Sequence, residues 1–125
     1  MNEPVHRGLA QGRWFTLSIC EQLANVGSEV ERATRWHQRG EREHFEKAFD
    51  RMLELLDLTI ADPRWRHRGR LKELLRLREV LCDLFYGDDI YGTTFEDINK
   101  YFLYFGIAAR AKPLNPTPCS RSESP

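Results

Sequence analysis

Cysteine is scarce in this chain and odd in number: Cys20, Cys82 and Cys119 are spread across 125 residues. So few and so widely spaced, they do not make a disulfide framework, and they point to reduced thiols in a cytoplasmic setting. Long apolar runs are missing as well. Crossing a bilayer takes about 20 consecutive apolar residues, and no stretch comes near that; Met1 to Leu9 also lacks the apolar core of a signal peptide. Net charge is missing, because 19 Lys and Arg balance 19 Asp and Glu. That balance excludes a globally basic nucleic-acid coat and an acidic tail protein. No segment alternates apolar and polar residues with the period of two that marks a strand. Glycine-rich phosphate loops, GxSxG, CxxC and HExxH are all absent. His6, His37, His44 and His67 do not pair with cysteine or carboxylate at zinc-ligand spacing, so neither a metal nor a cofactor is expected.

What is present suits one globular domain. Hydrophobic residues make up 41% and charged residues 30%, enough for a core beneath a very polar surface and too apolar for a disordered chain. Residues 1–14 form an N-terminal flank, 15–111 the folded region and 112–125 a disordered tail rich in proline and serine.

Four helices are predicted from spacing. Ile19, Leu23, Val26, Val30 and Ala33 share one face of a helix from about Thr16 to His37, opened by a Ser18–Glu21 capping box and stopped at Gly40. Ala24, Gly27 and Ser28 lie near that stripe and admit a close neighbour. Phe45, Phe49, Met52, Leu55, Leu56 and Ile60 mark a second helix from Glu41 to about Ala61, ended by Asp62-Pro63 as cap and first position of a new turn. Arg64 to Arg70 reads as a short helical turn or a loop. From Leu71 a third helix carries Leu71, Leu74, Leu75, Leu77, Leu81, Leu84 and Phe85. A fourth begins at Thr93, in capping-box spacing with Glu96, and repeats Phe95, Ile98, Phe102, Phe105 and Ala109. Tyr101 and Tyr104 fall off that stripe, and together with Phe85 and Tyr86 on the third helix they suggest either a wide packing face or a second apolar face for self-association. Short connections make an all-α, antiparallel up-down four-helix bundle with flexible N- and C-terminal tails the expected fold.

The neutral total hides a segregation. Residues 64–78 carry seven basic side chains against Glu73, while 79–97 carry six acids and no Lys or Arg. Arg64, Arg66, Arg68, Arg70, Lys72, Arg110 and Lys112 gather at one end of the bundle. With Trp65 and Trp14 offered for stacking on a base, that end reads as a contact for RNA or single-stranded DNA. The alternative is a solvated face whose charges pair with neighbouring subunits or with Asp62 and Glu73.

Arginine followed by histidine after four intervening residues occurs twice, at Arg32–His37 and Arg39–His44. Five steps on one helix separate Arg32 from His37 by about 140°. Arg39–His44 crosses Gly40 and can converge, with histidine to move a proton and arginine to hold a phosphate. Through that pair and its helix count the chain resembles the HEPN class of small helical bundles, many of them ribonucleases. The resemblance implies metal-independent RNA cleavage by Arg39 and His44. From Thr16 to Ala111, its size, helix count and basic end resemble four-helix-bundle accessory proteins that assemble into rings and bind nucleic acid, some beside reverse transcriptases of diversity-generating retroelements.

The leading expectation is a non-catalytic binding or assembly module, an oligomeric accessory protein contacting nucleic acid through its basic end. A HEPN-type ribonuclease or a pure protein–protein adaptor is the alternative. No membrane contact is expected.

Overall fold

The computed structural model describes residues 12–111 except 68, 88 and 89. Among these residues it holds four α-helices and no strand: α1 (Ile19–Gln38), α2 (Arg42–Ala61), α3 (Arg70–Tyr86) and α4 (Phe95–Arg110), with 3-10 turns at Arg13–Thr16 and Pro63–Trp65. The expected four-helix bundle is what the chain forms. The α1 stripe is buried without exception, and the α2 stripe is buried from Phe45 to Leu56.

The caps follow local chemistry. Ser18 Oγ accepts from the Glu21 amide at 3.1 Å while the Glu21 carboxylate accepts from the Ser18 amide at 2.8 Å, closing the first turn of α1. Gly40 follows with φ 72°, a left-handed turn that glycine adopts without steric cost. At α4 the capping box is shifted by one residue from expectation. Thr94, not Thr93, caps the helix, its Oγ1 accepting from the Asp97 amide at 3.0 Å. Both registers place a hydroxyl three residues before an acid, so the sequence alone writes two answers.

Helix α1 is central, packing along both α2 and α4, while α3 leans chiefly on α2. The approach of α4 depends on Gly27. A Cβ there would fall 2.5 Å from Phe102 Cβ, so only glycine admits the phenylalanine so near the α1 backbone. At the far end α3 and α4 meet through long side chains, with Phe85 and Phe95 ring centroids 5.3 Å apart.

Three expectations are corrected. Trp14, placed in the N-terminal flank, is completely buried in the core, so the Arg13–Thr16 turn belongs to the packed domain. Leu75, counted in the α3 stripe, is 46% exposed. Cys20 is disulfide-bonded rather than a reduced core thiol, and Cys82 is a free cysteine among the described residues.

Candidate interaction surfaces

The basic end is built around Asp62. Its carboxylate is buried and accepts from the Arg64 amide at 3.0 Å, from Arg64 Nη2 at 2.7 Å and from Gln22 Nε2 at 3.0 Å. Burial pushes the Asp62 carboxyl up, but hydrogen bonds from Arg64 and Gln22 outweigh it and hold the group below the usual carboxylate range. Gln22 also donates to the Trp14 carbonyl at 2.9 Å and accepts from the Trp65 indole at 2.7 Å. The Trp14 indole donates to Thr59 Oγ1 at 3.1 Å. Arg64 reaches the Leu17 carbonyl at 2.6 Å and lies over the Trp65 ring, 4.4 Å from its centroid. Six polar or indole-bearing side chains from four parts of the chain thus satisfy one another, all of them buried except Arg64, which closes the cluster from the surface.

This arrangement changes the role of the residues singled out there. Trp65 is 3% exposed and Trp14 is buried, so neither presents a ring face to a base. Arg64 is paired with Asp62, and Arg70 is buried and paired with Glu73 at 2.6 Å. Arg66, Lys72 and Arg110 are exposed at the surface. Arg68 and Lys112 lie outside the described residues. The acidic stretch is likewise used within the fold: Asp83 accepts from the Ile90 and Tyr91 amides, and Glu79 accepts from the Tyr91 hydroxyl at 3.0 Å.

At the opposite end Arg39 and His44 do converge, on Trp36. The His44 ring stacks on the indole at 4.4 Å, and the Arg39 guanidinium sits 5.5 Å from its centroid. His44 Nδ1 lies 3.8 Å from Glu41. His37, the other histidine of that spacing, stands instead among Phe45, Phe85 and Phe95 with centroids 5.1–5.8 Å away. A cavity of about 310 Å³ opens beside Trp36, His37 and Tyr86. The end is an aromatic cluster clamped by the α1–α2 junction.

The third surface is the outer side of α4. Leu103 and Ile107 are each 57% exposed and Tyr104 is 50% exposed, while Ile98, Phe102, Phe105 and Ala108 face the core. Tyr101 is not part of this outer face. It packs between α3 and α4, where burial and the nearby Glu73 push its hydroxyl pKa well up. Leu103 and Ile107 were missed by spacing because the core stripe had already claimed the helix. Their own four-residue step, opposite that stripe, was the signal.

Among the described residues no group of three or more His, Cys, Asp and Glu side chains is placed to hold a metal. None of their helices is long and apolar enough to cross a membrane. No protein-family model, curated protein or solved structure matches the chain.

Proposed function

We propose that the protein is a non-catalytic assembly module whose contact surface is the outer face of α4. The observation that carries this reading is the exposure of Leu103, Tyr104 and Ile107 on a helix whose opposite side already supplies the core. Contiguous apolar side chains left in water are a feature of surfaces that meet another protein. Such a module suits the accessory-subunit role implied by the retroelement resemblance. Native mass spectrometry of the tagged chain recovered from cells tests it. Assemblies above monomer mass are expected, and Leu103→Glu combined with Ile107→Glu should remove them while Leu75→Glu leaves them in place. Recovery of monomer alone, or assemblies indifferent to the double substitution, would contradict it.

Nucleic-acid contact is a second reading, favoured by the exposure of Arg13, Arg66, Lys72 and Arg110. With both indoles buried, it rests on phosphate contact and not on base stacking.

A further inference from the structure

The outer face of α4 carries a repeat of its own, opposite the core stripe. Glu96, Lys100, Leu103, Ile107 and Arg110 recur at steps of four, three, four and three, the spacing of a seam between two helices. Beside them a groove of about 450 Å³ runs between α4 and α1. Its α1 side is small, formed by Ala24, Gly27 and Ser28, with Glu31 toward the end where Glu96 lies and Arg110 at the other. Gly106 adds an independent observation. A Cβ there would meet only the Arg110 guanidinium, at 3.7 Å. Packing among the described residues therefore gives no reason for glycine in a helix interior, where alanine is favoured.

The geometry points to a second copy of this chain as the occupant, its α4 laid antiparallel on α4 about a two-fold axis at Leu103. The inference rests on the reading of this face as a contact surface and names what covers it. Under the two-fold, Leu103 meets its own counterpart, and Glu96 meets the second copy's Arg110 on both sides of the axis. Glu31 reinforces the acid at each of those meeting points. Lys100 faces the second copy's Gly106, where the missing side chain leaves room for the lysine stem and lets the backbones draw close. A parallel pairing would instead set Glu96 against Glu96. The antiparallel arrangement is self-complementary and closes at two subunits.

Sedimentation equilibrium of the full chain tests this with Glu96→Lys, Arg110→Glu and the two combined. Within one chain these residues lie 14 positions apart, about 21 Å along the helix axis, beyond the screening length of about 8 Å at physiological salt. Coupling between them in the association constant can arise only across an interface. Each single reversal is expected to weaken dimerisation about tenfold, and the combination to recover most of that loss. Gly106→Leu should also abolish the dimer, with thermal melts of all variants within a few degrees of wild type. A wild-type chain that stays monomeric, a Gly106→Leu chain that dimerises normally, or single losses that simply add would each overturn the proposal. Additive losses in a dimer still broken by Leu103→Glu with Ile107→Glu would discard the register and leave the broader reading standing.

Discussion

Around Asp62, arginines and tryptophans that look made for a ligand close on one another; along the outer face of α4, side chains that look made for a core have none of the described residues to cover them. The first region has its polar groups satisfied by partners far away in sequence, such as Trp14 with Thr59 and Trp65 with Gln22. The second has Leu103 and Ile107 exposed and a glycine that no contact among the described residues requires. Residue type therefore misleads in both directions. Burial and partnership decide which surface remains able to act.

Substitution at the two regions should separate them sharply, and Trp65 gives the largest effect. Trp65→Ala removes a buried ring and a hydrogen bond, with an expected cost of about 3–5 kcal/mol in urea unfolding, against at most about 0.5 kcal/mol for Leu103→Ala. Equal, small losses at both positions would dissolve the contrast.

Asp62→Asn is next. Removing the charge should cost about 1.5–3 kcal/mol at neutral pH, the range for hydrogen bonds to ionised groups. Because the folded carboxyl is held below its unfolded value, its contribution is present above the unfolded pKa of about 3.9 and lost as pH falls through the folded one. The stability gap between wild type and Asp62→Asn should accordingly be widest near neutrality and close in acid. A gap that widens on acidification would mean the carboxyl is not stabilised in its charged form.

The two glycines inside helices should respond with opposite signs. Gly27→Ala forces a Cβ against Phe102 and should destabilise by about 1–3 kcal/mol. Gly106→Ala meets only the Arg110 guanidinium, at ordinary contact distance among the described residues, and should stabilise the monomer by about 0.5–1 kcal/mol. Thermal melts at low protein concentration would show both shifts.

Much of the bundle was legible because α1, α2 and α4 write their buried faces as unbroken steps of three and four. Leu75 was misplaced because leucine sits on almost every side of α3, so spacing alone could not select the face. The Asp62 cluster was not legible, since its key bonds join residues 40 or more positions apart and nothing local marks them. Spacing offers Asp62 and Glu73 only as general partners for the basic run, without saying which arginine each takes. The Arg39–His44 convergence was readable from the turn at Gly40, but its meeting point on Trp36 depends on how the junction folds.

Smaller effects are expected at the remaining candidate residues. Replacing Arg66, Lys72 and Arg110 together by Gln should flatten the log–log salt dependence of single-strand binding by about 2, from about 0.7 for each phosphate contact. An unchanged slope would remove these side chains from any nucleic-acid contact. No RNA cleavage without metal is expected from the wild-type chain or from His44→Ala. Cleavage abolished by His44→Ala and kept by His67→Ala would restore the ribonuclease reading.

The central claim is that the outer face of α4 is an association surface and not displaced core, and one paired measurement on one variant addresses it. Leu103→Glu with Ile107→Glu should be followed by sedimentation and by urea unfolding in the same buffer. The expected result is loss of the assembled species with a monomer as stable as the wild-type monomer, within about 0.5 kcal/mol per substitution. A variant whose mass is unchanged but whose unfolding midpoint collapses would contradict it, because those side chains would then be holding the fold together.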